Sequence, residues 1–297
     1  MKASCRLASA LALLLPLPLS GCFFLSTTRR LPVPKAPLVT RTVSPAELVG
    51  QVNRRWADLK SLNLTVDIQA SVAKSSQGVA KDYTTFRGII LMRKPELLRV
   101  YGRVPVIGSR MFDMVGDGKT FTLWIPSRNK AVKGPYELKK KSASQVENMR
   151  PGFFFDAIAV HGSEPDDLYS VASDSETVED AAKKHLFTVP EYILSIMRPK
   201  PGSQELKPVR VITFHRDDLL PYQQDLYDNE GNLETQVFYG QYTDYGSGKF
   251  PSKITIKRPL EEYQVILNVD KVIANMTLTD DQFEVKIPED TIIQNLE

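Results

Sequence analysis

Cysteine is nearly absent: Cys5 and Cys22 are the only two in 297 residues. Histidine is almost as scarce, and His161, His185 and His215 lie far apart with no paired-ligand spacing, which argues against a zinc centre. No Gly-x-Ser-x-Gly elbow marks a nucleophile. The paired acids Asp166-Asp167, Asp217-Asp218 and Asp280-Asp281 read as solvated turns, because adjacent carboxylates point apart. Nothing in this inventory demands an enzyme or implies a cofactor. There is also no excess of one charge: the formal balance is +3, and it falls to +1 without Lys2 and Arg6, so no global field recruits nucleic acid. No internal repeat of solenoid length occurs. The longest uncharged apolar run, Leu7 to Leu19, is shorter than the roughly 20 residues that span a bilayer.

What is present begins with that run. Lys2 and Arg6 precede it, and Leu19-Ser20-Gly21-Cys22 closes it with small residues, which is the layout of a secretory signal: basic start, apolar middle, small residues at the cut. These last four residues resemble a bacterial lipobox. The resemblance implies cleavage before Cys22, acylation of Cys22 and attachment to membrane lipid outside the cytoplasm; an ordinary signal with an incidental cysteine is the alternative. In enterobacterial lipoproteins an aspartate after the cysteine implies inner-membrane retention. Phe23 stands there, so the outer membrane is expected. A chain acylated at Cys22 keeps no free thiol and no disulfide, so redox chemistry is excluded and folding rests on apolar burial.

The expected organisation is therefore a signal over 1–21, an acylated cysteine with a Pro-rich tether over 22–43, and one domain over 44–297. Pro32, Pro34 and Pro37 favour an extended tether at about 3.1 Å per residue, and Arg29 and Arg30 are either headgroup contacts or solvated charges. Ser44-Pro45-Ala46-Glu47 is a capping box with proline in the first turn. Leu48, Val52, Trp56 and Leu59 then form one apolar helical face.

From Leu62 the period changes to two, with Leu64, Val66, Ile68 and Ala70 alternating against polar residues. Short strands follow at about 83–93, 97–103, 110–115 and 120–126, with Gly116-Asp117-Gly118-Lys119 as a tight turn. Phe153-Phe154-Phe155 lies in a short helix, and three adjacent rings cannot share one face. The acidic stretch 166–184 reads as a helical or loose excursion. Strands resume at 186–189, 192–198, 209–215, 223–227, 233–242, 254–258 and 263–272. Asp228-Asn229-Glu230-Gly231-Asn232 is a hairpin turn and lacks the ligand spacing of a calcium loop. So many antiparallel strands tend to curl, because twist accumulates and the apolar face needs cover. The fold class is α+β: a large curved antiparallel sheet forming an incomplete half β-barrel, with helices over its concave apolar face.

Several of these stretches resemble the LolA and LolB family of lipoprotein carriers. Phe86-Arg87-Gly88-Ile89-Ile90-Leu91-Met92-Arg93-Lys94-Pro95 is similar to a family strand and Val115-Gly116-Asp117-Gly118-Lys119-Thr120-Phe121 to a family hairpin. Tyr227-Asp228-Asn229-Glu230-Gly231 and Phe283-Glu284-Val285-Lys286-Ile287-Pro288 match later features in order. The resemblance implies an unclosed barrel around an apolar cavity for acyl chains, with a periplasmic carrier as partner. Departures are the extra length at 166–184 and an anchor of the LolB kind. The expected cavity wall is Leu91, Met114, Phe121, Leu123, Trp124, Phe154, Phe155, Ile158, Ile212 and Phe214; a fully packed core is the alternative. By likeness to the projecting loop of LolB, Val104, Val106 and Ile107 are expected to meet lipid, unless that loop is tucked onto the sheet. The function expected is acyl-chain or lipoprotein binding and transfer without catalysis, and the alternative is an envelope sensor or scaffold of the same fold.

Overall fold

The computed structural model describes residues 40–74, 79–104, 106–136, 151–179 and 186–296. The signal, Cys22, the tether before residue 40, Pro105, Lys139-Lys140-Lys141 and His185 lie outside the described residues.

In chain order the elements are α1 (Pro45–Asp58), β1 (Ser61–Lys74), β2 (Val79–Asp82), β3 (Phe86–Arg93), β4 (Leu97–Arg103), β5 (Arg110–Gly116), β6 (Thr120–Ile125), β7 (Lys130–Pro135) and α2 (Pro151–Ile158). There follow β8 (Leu168–Glu179), β9 (Leu186–Pro199), β10 (Leu206–His215), β11 (Pro221–Tyr227), β12 (Leu233–Tyr239), β13 (Tyr242–Asp244), β14 (Lys249–Pro251), β15 (Lys253–Arg258), β16 (Tyr263–Ala274) and β17 (Ile292–Asn295).

The capping box forms as its residue types require: the Ser44 hydroxyl accepts from the Glu47 N–H at 3.3 Å, and the Glu47 carboxylate accepts from the Ser44 N–H at 2.7 Å. The helix so started buries Leu48, Val49 and Val52 against Leu194, Ile196, Ile212 and Phe214 of β9 and β10.

Fifteen strands make one sheet, in the order β17-β7-β6-β5-β4-β3-β1-β16-β15-β12-β11-β10-β9-β8, with β2 also paired to β1. The β17–β7 pair is parallel. No pairing joins β17 to β8 among the described residues, so the sheet is open. Its curl follows from α2. That helix has eight residues, about 12 Å of length. Yet Pro151 lies against Gly116 of β5, and the Ala157 carbonyl accepts from the Tyr239 hydroxyl of β12 at 2.9 Å. β5 and β12 are six strand steps apart, about 29 Å if the sheet were flat. The sheet therefore wraps around α2, and this is how all three phenylalanines are buried at once. Phe153 meets Tyr263, Phe155 meets Trp56, and Phe154 joins the same core.

Antiparallel alternation fixes two ends of the half barrel. One, the loop end, carries the β4–β5 connection, the end of β1 and the start of β16; the other, the entry end, carries the start of β1 and the end of β10, where the Arg41 N–H donates to the Arg216 carbonyl.

Three expectations need correction. Residues 166–184 contain no helix among those described: β8 occupies Leu168–Glu179 and pairs with β9 over twelve residues without a register shift. It is the sheet's edge and most of its side chains are exposed, so it carries no apolar alternation to read. The strands at 186–189 and 192–198 are a single β9. β7 and β17 form the other edge, beyond the strands expected.

Candidate functional site

A cavity of about 400 Å³ opens at the loop end of the concave face. Ile68 and Val72 of β1, Phe86 of β3, Met111 and Phe112 of β5, and Leu123 and Ile125 of β6 line it, with Phe154 of α2 behind and Tyr263 and Val265 of β16 beyond. Period two puts these strand residues, Met111 excepted, on the inner face, in phase with Ile90, Met92 and Met114 of the main core, and Met111 joins them at a register shift between β4 and β5. One backbone feature shapes the cavity. Gly88 and Gly102 face each other across β3 and β4, and a Cβ on Gly102 would lie 2.8 Å from the rings of both Phe86 and Phe112. Those rings, 5.7 Å apart and edge to face, occupy the room that the missing side chain of Gly102 leaves, and Ile68 fills the room at Gly88.

The β4–β5 connection stands at the same end. The Val104 N–H donates to the Ser109 carbonyl at 2.8 Å and the Gly108 N–H to the Val104 carbonyl at 2.9 Å, which closes the loop on itself. Its tip points outward: Val106 is fully exposed and Ile107 is 77% exposed, while Val104 is half-buried. The tucked arrangement is thus not the one adopted at the tip. Val106 holds φ at +68°, a left-handed conformation that costs a β-branched residue on the order of 1–2 kcal/mol.

The ten expected wall residues fall into four groups. Leu123 and Phe154 line the cavity. Met114, Phe121, Phe155 and Ile158 are buried in the main core, and Ile158 also borders a second chamber at the entry end. Ile212 and Phe214 pack under α1 in a separate cluster. Leu91 and Trp124 belong to the opposite face, which corrects the expectation for both. Leu91 follows Ile90 by one residue, so it turns outward and packs beneath Leu278 and Phe283 of the C-terminal segment. Trp124 alternates with Leu123 and pairs with Asp113, a convex-face residue held by Arg99. Phe86, Met111, Phe112 and Ile125 were not on the expected list, although Phe86 shares the phase of Ile90 and Met92.

Beside α2, His161 stacks on Trp56 with centroids 4.2 Å apart and meets Phe155 edge-on. Burial, with Arg210 and Lys94 nearby, pushes its pKa down to about 3, so it is neutral near neutral pH. Its ring is part of an aromatic wall, and its Nε2 lies 3.4 Å from the Asp156 carboxylate.

Fold and cavity together define an open antiparallel half barrel, curled over an internal helix, with an apolar chamber under one rim. No protein-family model and no curated protein matches the chain. Solved structures do. A DUF1329 family protein from Desulfovibrio piger ATCC 29098 is similar over 80% of this chain and 95% of its own, with 15% identity and a TM-score of 0.53. A LolA superfamily protein from Nitrosomonas europaea covers 82% of this chain and 99% of its own, at 13% identity and a TM-score of 0.48. A domain provisionally assigned to outer membrane lipoprotein sorting in Vibrio parahaemolyticus covers 80% and 94%, at 10% identity and a TM-score of 0.46. At such identities the likeness to the first is one of fold alone.

Proposed function

We propose that this protein is a lipid-anchored component of the bacterial cell envelope, tethered at the outer membrane through Cys22. It takes an acyl chain of lipid or lipoprotein cargo into the cavity at the loop end, receives it from a periplasmic carrier protein and passes it on without covalent catalysis. The observation that supports this reading is the shared location of an apolar cavity and an exposed apolar tip, Val106 with Ile107, at one end of the sheet. The volume of about 400 Å³ falls within the range of small-molecule sites. Each methylene taken from water contributes about 0.8 kcal/mol, so a cavity of this kind needs volume more than specific polar groups.

Native mass spectrometry of protein purified without detergent tests the cavity: a bound acyl species is expected, and protein that carries none and takes up none from vesicles sinks the reading. The loop is tested by combining Val106→Glu with Ile107→Glu. Vesicle docking and transfer are expected to fall at least tenfold with the fold intact, and unchanged transfer removes the loop from the account.

A further inference from the structure

The second chamber lies at the entry end, and α2 borders it as it borders the first. Its volume is about 550 Å³, and Trp56, Leu59, Ile158, Tyr239, Tyr242 and Phe250 supply most of its apolar wall. Phe154 borders one chamber and Ile158 the other. They are one helical turn apart on the same face of α2, so the two apolar spaces follow one another along that helix, one toward each end of the sheet.

The polar atoms around the second chamber are already engaged. The Tyr239 hydroxyl donates to the Ala157 carbonyl at 2.9 Å, the Tyr242 hydroxyl to the Pro221 carbonyl at 2.8 Å, and the Ser247 hydroxyl to the Val272 carbonyl at 3.2 Å. These bonds leave the tyrosine rings as wall and latch the β13–β14 hairpin over the space. The mouth carries charge: Arg55, Asp58 and Lys249. None of the three forms an ion pair within 4 Å among the described residues, and Lys249 stands opposite Asp244 across the β13–β14 hairpin. With two cations and one carboxylate in its lining, the mouth has a positive balance that complements an amphiphile with an anionic head.

We propose that this chamber is a separate site for a single-chain anionic amphiphile of the fatty-acid class. The hydrocarbon tail lies against Trp56, Tyr239 and Phe250, and the carboxylate meets Lys249. The chain thus holds two tails at once, one at the loop end and one at the entry end. This rests on the reading that the apolar spaces of this fold accept acyl chains, and the experiment separates the two.

The sequence contains two tryptophans, so Trp124→Phe leaves Trp56 as the sole indole, next to the chamber in question. Dibrominated stearic acid quenches indole on contact. Two fatty acids per chain by native mass spectrometry are expected, with Trp56 emission quenched at least twofold at saturation. Lys249→Glu, an exposed change on the hairpin, is expected to weaken the quenching titration about tenfold. Ala159→Phe, which fills this chamber, is expected to abolish quenching and reduce the count to one. Ala70→Phe narrows the first chamber, and quenching is expected to persist. One bound fatty acid with Trp56 unquenched overturns this inference and leaves the proposed function standing; no bound fatty acid overturns both. Quenching that survives Lys249→Glu and Ala159→Phe alike also overturns the inference.

Discussion

His161 is held neutral by its surroundings, and that has a cost in acid. Its pKa is pushed down to about 3 by burial first and by Arg210 and Lys94 next, whereas in the unfolded chain it titrates near 6.5. The unfolded state therefore binds the proton first as pH falls, and stability is lost progressively below about pH 6.5. The Asp156 carboxyl, 3.4 Å from the imidazole and pushed up to about 6 by burial, opposes this because there the folded state binds the proton first. In urea denaturation His161→Gln should therefore raise stability at pH 5 relative to pH 7, and Asp156→Asn should steepen the loss. A second residue works through charge. Asp113 is buried on the convex face between Arg99, at 2.7 Å, and Arg110, while Arg99 also donates to the Gln282 carbonyl. Removing it strands two guanidinium groups, so Asp113→Ala should destabilise by about 3 kcal/mol. The exposed Asp67, paired with Arg87, makes the control: Asp67→Ala should cost under about 1 kcal/mol in the same assay.

The β3–β4 pair carries the cavity's shape, and its glycines are the place to perturb it. Gly102→Ala puts a methyl within 2.8 Å of Phe86 and Phe112. The rings must move into the cavity, at about 1–3 kcal/mol of overpacking, and acyl occupancy by native mass spectrometry should fall with the melting temperature. The same pair shows what could be read in advance and what could not. β4 was legible because Leu98, Val100 and Gly102 alternate with half-exposed partners. β3 was legible as a strand but not in its facing: Ile89-Ile90-Leu91-Met92 is apolar on both sides, because the C-terminal segment bearing Leu278 and Phe283 covers the convex face as well. Without a polar side there was no phase, so Leu91 was placed on the wrong face. The start of α1 was legible to the residue because a capping box is a local device, whereas Leu59, read as part of its apolar face, is the extended residue just past its end. β8 was not, since an edge exposed on both faces has no buried pattern, and β17 gains its strand character only from a parallel partner about 160 residues away in sequence.

For the molecule as a whole, the carrier reading and the sensor or scaffold reading predict different cells. Depletion should leave other lipoproteins at the wrong membrane, scored by fractionation, if cargo passes through the chamber. Normal sorting with an altered envelope stress response would instead favour the sensor or scaffold. On the proposed anchoring at Cys22, the architecture also bears on how the protein would meet a membrane. Arg41 enters the folded body beside Arg216 at one end of the sheet, and Val106 and Ile107 project from the other. β1 alone has 14 residues, a reach of about 46 Å, and the segment from Cys22 to Thr40, if extended, spans about 56 Å. Were Cys22 anchored as proposed, a leash of that length would let the body turn over and press its greasy tip to the same leaflet that holds the anchor. Shortening the leash by half would keep the protein on the membrane yet hold the tip out of reach.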